Sequence, residues 1–135
     1  ETVEPDIREA VANIYWMAQA VATYVAGSAQ GIVGTYYIKT NQPGGGAHIC
    51  NCGYIVDPEA RGQGVAAAMC EHSQSEARAL GYLAMQFNFV LASNSGAVRL
   101  WHKLGFETVG RLPEAFEHPA HGLVDAFVMF KRLGD

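Results

Sequence analysis

The sequence predicts a single α/β domain in which a mixed, mostly antiparallel sheet is flanked by helices. Apolar segments with strand character alternate with segments of helical periodicity in the middle of the chain. A glycine-containing loop joins one of these strands directly to a long helix. No repeat, linker or low-complexity tract divides the 135 residues, so we expect residues 1–135 to form one domain.

The amino-terminal third predicts a helix followed by a hairpin. The helix is expected from Asp6 to about Gln19, because apolar residues recur there at helical spacing after Pro5. Two segments rich in β-branched and aromatic residues follow, and turn-forming residues separate them. We expect the two hairpin strands at residues 21–26 and 32–39, the turn between them at 27–31, and a loop after them at 41–46.

The rest of the chain predicts alternating strands and helices. Gly81 and Gly105 follow helical segments as stop signals, and Asn94 or Ser95 is suited to cap the second helix. Two prolines and a glycine predict a loop between the last two strands. We expect strands at 48–56, 83–91, 106–112 and 123–133, helices ending near Leu80 and Leu104, and loop residues Pro113, Pro119 and Gly122.

Composition argues against several classes of function. A net charge of −4 offers no basic stripe for phosphate backbones, so a nucleic-acid partner is not expected. No apolar run reaches the length of a membrane span, so we expect no membrane association. The apolar fraction of 50% and the charged fraction of 16% are typical of a compact globular chain.

The three cysteines indicate reduced thiols and a cytoplasmic protein. An odd number without framework spacing does not predict a disulfide scaffold. Cys50 and Cys52 would point to the same face of a strand, but this pair lacks the second pair of ligands usual in zinc sites. We therefore expect no metal, and thiols that pack in the core.

The segment 56–66 (VDPEARGQGVA) has the features of an anion-binding loop. A strand ends just before Pro58, and Gly62 and Gly64 allow the backbone to approach a ligand closely. Free N–H groups and the positive end of the helix dipole would point at negative charge, beside the cation of Arg61. The segment lacks the Gly-Lys-Ser/Thr of a P-loop and the acidic residue of a Rossmann fingerprint.

Together with a second segment, this loop resembles the GNAT (Gcn5-related N-acetyltransferase) family. The family signature Arg/Gln-x-x-Gly-x-Gly/Ala is met by Arg61, Gly64 and Ala66. Residues 94–106 (NSGAVRLWHKLGF) are similar to the family's Asn-x-x-Ala-x-x-Leu-Tyr-x-x-x-Gly-Phe helix. Either motif alone is weak evidence for the family, whereas the two motifs in this order are specific evidence. The resemblance spans about residues 31–133.

The resemblance implies an acetyl-CoA-dependent N-acetyltransferase. In the family, acetyl-CoA binds where two parallel strands splay apart, here 48–56 and 83–91, and an amine attacks the thioester directly. A backbone amide of the first strand, that of Val56, would stabilise the oxyanion. The residues that the resemblance assigns to the cofactor are Ile55, Val56, Arg61, Gly62, Gln63, Gly64, Val65, Ala66, Asn94, Ala97 and Trp101.

Three departures from the family pattern bear on catalysis and assembly. Cys52 stands where many members have a glutamate base, and Trp101 stands where the tyrosine acid is usual; an indole N–H is no useful acid. The family's first strand has no counterpart among the predicted elements, so a partner subunit of a homodimer is a candidate to cover that edge. A catalytically weak CoA-binding sensor or assembly module, and a protein that binds another nucleotide, remain alternatives.

Asparagines are the candidates for the acceptor site. Asn51 and Asn88 interrupt apolar strands, and a buried amide needs partners that a bound substrate can provide. With Asn94, they match a GNAT subgroup that includes yeast enzymes acetylating proline analogues, which implies a small amine as acceptor. The alternative is structural: amides that bond to neighbouring backbone, and an Asn94 that only caps a helix.

The histidines and Asp125 are further candidates. His48 opens a strand and is suited to relay a proton, and His102 lies on the second helix, one residue past Trp101. His118 and His121 lie in the last loop, at the expected edge of the acceptor pocket. The alternative for each histidine is an ordinary surface or core residue. Asp125 interrupts an apolar strand, either to hold a cationic amine or to form a salt bridge.

Overall fold

A computed structural model describes residues 6–10, 21–29 and 31–134. They form a seven-stranded sheet with the order β1-β2-β3-β4-β5-β7-β6, packed against two α-helices in the described part of the chain. The elements are β1 (Asp6–Ala10), β2 (Ala22–Ser28), β3 (Gly31–Thr40), β4 (Ile49–Val56), α1 (Val65–Ala79), β5 (Ala84–Leu91), α2 (Ser95–Lys103), β6 (Glu107–His118) and β7 (Gly122–Arg132). The predicted mixed α/β sheet and the predicted hairpin, formed by β2 and β3, are confirmed.

The predicted amino-terminal helix is wrong where the structure describes it. Asp6–Ala10 is a strand that pairs antiparallel with β2, and Ile7 packs against the core opposite Ala26. Sheet pairing overrides the helical spacing of the apolar residues, while residues 11–19 of the predicted helix lie outside the described part. Since β1 occupies the edge beside β2, the expectation that the family's first strand is missing is wrong as well.

The strand β6 is longer than predicted, whereas β7 keeps its predicted length of 11 residues and begins one residue earlier. β6 continues through Pro113 to His118, so the expected loop from Pro113 to Gly122 contracts to residues 119–121. Proline is tolerated because β6 is an edge strand and bulges between Leu112 and Phe116.

Asp125 holds this bulge in place. Its carboxylate accepts hydrogen bonds from the Glu114 N–H at 2.9 Å and from Arg111 at 2.6 Å. These two donors hold the pKa of Asp125 below its usual value. Of the two roles considered for Asp125, the structure contains the salt bridge.

The first helix, α1, is attached to the sheet by three tyrosine hydroxyls. Each tyrosine extends from a different strand and forms a hydrogen bond with a side chain of α1. Because α1 begins directly after the glycine-containing loop, these contacts also fix the position of that loop. The pairs are Tyr24–Glu76 (3.0 Å), Tyr36–His72 (2.6 Å) and Tyr54–Ser73 (2.7 Å).

The parallel pair β4 and β5 separates after three residues. Ile49–Asn51 pairs with Ala84–Gln86, and beyond this point β4 stays paired with β3 while β5 stays paired with β7. The two halves of the sheet therefore diverge and leave a gap between them. The splayed central pair predicted from the sequence is confirmed.

Candidate functional site

The loop between β4 and α1 presents free backbone donors. Asp57 begins a short turn by accepting a hydrogen bond from the Glu59 N–H at 2.9 Å. Gly62 and Gly64 then adopt φ angles of 79° and 81°, which side chains rarely tolerate. Gly64 is the N-cap of α1 and supplies no capping side chain, so the first N–H groups of the helix are available to an anion.

Arg61 places a cation beside these donors. Its side chain is exposed and forms no salt bridge with any residue that the structure describes. The charge is therefore available to a ligand, and Arg61 lines the same cleft as the two glycines.

Both sequence motifs line one cleft of about 690 Å³, which we call the loop cleft. One wall is the start of α1 with the loop before it, and the other is the start of α2. Nine of the residues assigned from the sequence lie here: Val56, Arg61, Gly62, Gly64, Val65, Ala66, Asn94, Ala97 and Trp101. Gln63 does not, because it lines a separate pocket of about 190 Å³ with Ile32 and Asp57.

A second cleft of about 540 Å³ occupies the space between the diverging strands, and we call it the strand gap. It holds both candidate acceptor residues, Asn51 and Asn88. The two clefts adjoin each other at the beginning of α2, where both are lined by Leu91, Asn94, Ala97 and Trp101.

Strand register decides which amides of β4 face the strand gap. In an antiparallel pair, successive residues point their N–H groups to alternate sides. The Asp57 N–H donates to the Val33 carbonyl at 2.8 Å, so the N–H groups of the odd-numbered residues of β4 point toward β3. The N–H of Ile55 therefore points away from the gap, whereas those of Tyr54 and Val56 face it. Sequence reasoning missed Tyr54, although the two-residue period of a strand pairs it with Val56.

Cys52 and Trp101 do not replace the missing base and acid. Burial raises the pKa of the Cys52 thiol well above its usual value, so Cys52 stays protonated at neutral pH and cannot accept a proton. Trp101 is buried, and its ring lies 5.3 Å from that of Tyr54 and 5.0 Å from that of Phe87, measured between centroids. It forms an apolar wall shared by both clefts.

Protein groups already bond both candidate asparagines. Buried Asn51 donates to the Gln86 carbonyl at 2.9 Å and accepts from the Tyr37 hydroxyl at 3.4 Å. Asn88 is exposed, although its strand pattern predicts burial, and it bonds to Asn41 and to the Gln86 side chain at 2.8 Å each. These contacts match the alternative in which the asparagines have a structural role and bond to neighbouring protein groups. Both amides nevertheless line the strand gap.

Tyr37 is a residue of the strand gap that the sequence did not reveal. Its ring lies over Gly53, where a Cβ atom would fall 2.7 Å from the Tyr37 hydroxyl oxygen. Burial raises the pKa of Tyr37, so its hydroxyl remains a neutral donor beside Asn51. A glycine inside a strand signals such a close approach, but the partner emerges only from the register of β3 and β4.

Asn94 serves as the N-cap of α2. Its side-chain oxygen accepts a hydrogen bond from the Ala97 N–H at 3.2 Å, which selects Asn94 over Ser95 as the cap. The same side chain lies where the two clefts join, so capping holds it at the site.

Only part of the histidine set lies near the site. His48 and His121 are exposed, and His102 contacts Thr108 at 3.0 Å; none of these three lines either cleft. His118 lines the loop cleft and not the strand gap, so the structure separates it from the expected acceptor pocket.

The described residues offer neither a metal site nor a membrane-spanning helix. Among them, no group of three or more histidine, cysteine or acidic side chains is positioned to hold a metal ion. None of their helices has the length and hydropathy needed to cross a bilayer.

Comparison with known proteins agrees with this geometry. The model of the Acetyltransferase (GNAT) family matches residues 2–106, which include the loop, the strand gap and α2. The chain belongs to the GNAT family. This GNAT chain thus carries both motifs of the family in one continuous site.

Two curated relatives share part of the chain. N-acetyltransferase aca1 of Schizosaccharomyces pombe is 36% identical over 98 residues, which cover 72% of this chain and 47% of the relative. Protein SPT10 of Saccharomyces cerevisiae is 29% identical over 106 residues, which cover 75% of this chain and 16% of the relative. The chain therefore spans about half of the first relative and a smaller part of the second.

Solved structures share the fold. A GCN5-related N-acetyltransferase from Kribbella flavida superposes with a TM-score of 0.80 at 42% identity, over 82% of this chain and 67% of that one. A phosphinothricin acetyltransferase from Sinorhizobium meliloti, in complex with AcCoA, superposes with a TM-score of 0.74 at 24% identity, over 84% of this chain and 61% of that one. The second likeness is one of fold alone.

We predict that Gly53→Ala displaces the Tyr37 ring. The added methyl group would overlap the ring, so the free energy of unfolding should fall by about 1–3 kcal/mol. Urea denaturation measures this change, and Gly45→Ala is the matched control because no atom lies within 4 Å of its added carbon. In a Tyr37→Ala background the cost of Gly53→Ala should disappear; an undiminished cost there would contradict the assignment.

Proposed function

We propose that this chain is an acetyl-CoA-dependent N-acetyltransferase that acetylates a small amine, with residues 1–135 acting as one domain. The observation that carries the proposal is that the loop cleft and the strand gap adjoin each other at the start of α2 and share four lining residues there. The anion-binding loop cleft thus adjoins the strand gap, where the N–H groups of Tyr54 and Val56 are free to bind a ligand. The AcCoA complex of the structurally similar Sinorhizobium meliloti enzyme is consistent with this use of the fold.

The phosphates of the cofactor would bind at the start of α1. Uncapped N–H groups after Gly62 and Gly64, together with the Arg61 cation, suit a pyrophosphate. The apolar surface around Trp101 and Ala97 suits the pantetheine arm, which would then run from the loop cleft into the strand gap.

The chemistry needs little beyond positioning and an oxyanion site. The amine nitrogen attacks the thioester carbon, the C–S bond breaks, and the CoA thiolate leaves. The N–H groups of Tyr54 and Val56 point into the gap and would stabilise the oxyanion. Water takes the proton that the amine loses, because Cys52 stays protonated. The CoA thiol is far more acidic than an alcohol, so its thiolate leaves without a dedicated acid.

The acceptor would occupy the strand gap beside Tyr37, Asn51 and Asn88. These groups are polar and uncharged, and the gap of about 540 Å³ suits a small molecule. The Tyr37 hydroxyl and the two amides offer hydrogen bonds to an amine or to a carboxylate next to it. An amino acid or a proline analogue fits this set, in line with the subgroup that the asparagines resemble.

A CoA-binding module with weak catalysis is the second candidate. The observation that favours it is the absence of a titrating base or acid at the expected positions, where Cys52 is protonated and Trp101 is apolar. Both candidates require CoA to bind, and only the enzyme releases thiol in the presence of an amine.

We further propose that the protein works in the cytoplasm, as a homodimer. Cys50, Cys52 and Cys70 are buried and unpaired, which suits a reducing compartment. Exposed apolar side chains on the last two strands, including Val109, Leu112 and Leu123, suit contact with a second copy.

Calorimetric titration with acetyl-CoA tests the binding step. Wild-type protein should bind in the micromolar range, and Arg61→Ala should weaken binding by roughly 10-fold or more through loss of a charged donor. Gly64→Val should abolish binding, since it strains and fills the loop. Gly81→Val is the matched control, because Gly81 has a φ of 96° at the opposite end of α1. Failure of folded wild-type protein to bind would overturn the proposal.

A thiol-release assay with a panel of amines tests turnover. We expect acetyl-CoA to be consumed with at least one small amine or amino acid, and Tyr37→Phe to lower kcat/KM for that acceptor by roughly 3- to 10-fold. Acetyl-CoA affinity should not change in this variant. Binding of acetyl-CoA without amine-dependent thiol release would instead select the CoA-binding module.

A further inference from the structure

The end of the β6–β7 hairpin reaches the loop cleft from a third direction. β5 ends at Leu91, paired with Ala126, and the Ala92 N–H donates to the Asp125 carbonyl at 2.9 Å. Beyond this point residues 116–124 continue as two paired strands, which we call the hairpin arm. The hairpin arm lies outside residues 2–106, the region matched by the family model.

The position of the hairpin arm is constrained at its base. The β6 bulge before Phe116 is held by the Asp125 carboxylate, which binds Arg111 and the Glu114 N–H. The Phe116 ring also packs edge-on against Phe89 of β5, with 6.2 Å between centroids. A bulge re-aims the residues that follow it, and here it precedes His118 by only a few residues.

His118 lines the loop cleft and has one defined hydrogen-bond donor on its neutral ring. It is half-buried and lines the cleft with Arg61 and Gly62. The Ala120 N–H donates to His118 Nδ1 at 3.0 Å, so Nδ1 is an acceptor and the neutral ring carries its proton on Nε2. The ring centroid of the exposed His121 lies 4.6 Å from that of His118.

We propose that the Nε2–H of His118 donates a hydrogen bond to a phosphate oxygen of acyl-CoA in the loop cleft. This inference rests on the proposed function, since it needs CoA in that cleft. Phosphate oxygens only accept hydrogen bonds, and the cleft that His118 enters is the one with the Arg61 cation and the free N–H groups of α1. The hairpin arm then forms a third wall of the cofactor site, beside α1 and α2.

Calorimetric titration of three variants tests this role. His118→Ala should weaken acetyl-CoA binding by roughly 3- to 10-fold, the effect of losing one hydrogen bond, and His118→Gln, which keeps an N–H donor, should restore part of the loss. His121→Ala is the matched control, because His121 is on the same arm and lines neither cleft. It should bind acetyl-CoA as the wild type does.

Shortened ligands identify the phosphate. Titration with dephospho-CoA should abolish the His118→Ala effect if the 3′-phosphate is the acceptor and retain it if the pyrophosphate is; either result supports the proposal. Unchanged acetyl-CoA binding by His118→Ala, an equal loss in His121→Ala, or a loss that persists with acetyl-pantetheine would overturn it. If wild-type protein binds no acetyl-CoA, the proposed function fails as well. If the wild type binds acetyl-CoA and His118→Ala binds it with the same affinity, only the inference about His118 is refuted.

Discussion

The short parallel pairing between β4 and β5 is the constraint on which the site depends. Because Ile49–Asn51 alone pairs with Ala84–Gln86, the N–H groups of Tyr54 and Val56 receive no partner from β5. Unpaired backbone donors in a sheet interior are costly unless a ligand or water satisfies them. The divergence therefore creates both a space for a ligand and the hydrogen-bond donors that select one.

The helices bring charge and shape to the same place. α1 follows β4 and α2 follows β5, so the starts of both helices lie at the ends of the diverging strands. Tyrosine contacts to α1 and the Asn94 cap of α2 hold these starts in position. In the proposed mechanism, such a site relies on orientation and backbone dipoles and does not require the acid and base that are usual in the family.

Local signals in the sequence predicted most of this arrangement, and non-local pairing accounts for what they missed. Glycines, caps and apolar periodicity marked both helices and the β2–β3 hairpin correctly. The strand at Asp6–Ala10 was missed because its apolar spacing also fits a helix, and only pairing with β2 decides between them. β6 continues past Pro113 because Asp125, on another strand, stabilises the bulge.

The candidate site likewise contains residues that local sequence signals predict and residues that depend on non-local strand pairing. The loop motif and Asn94 could be proposed from the sequence because their local geometry depends on residues close in sequence. Tyr37 and the orientation of the Ile55 amide depend on the register of β3 with β4, which no local pattern encodes. The protein partners of Asn51 likewise come from β3 and β5, so the sequence left its structural and functional roles open.

Titration of ¹⁵N-labelled protein with acetyl-CoA, followed by amide NMR shifts, tests whether acetyl-CoA binds between the diverging strands. We expect large shifts for the N–H groups of Tyr54, Val56, Gly62 and Gly64, and a much smaller shift for Ile55, whose N–H points toward β3. Shifts confined to the loop, with Tyr54 and Val56 unaffected, would contradict the claim that the diverging strands receive the thioester.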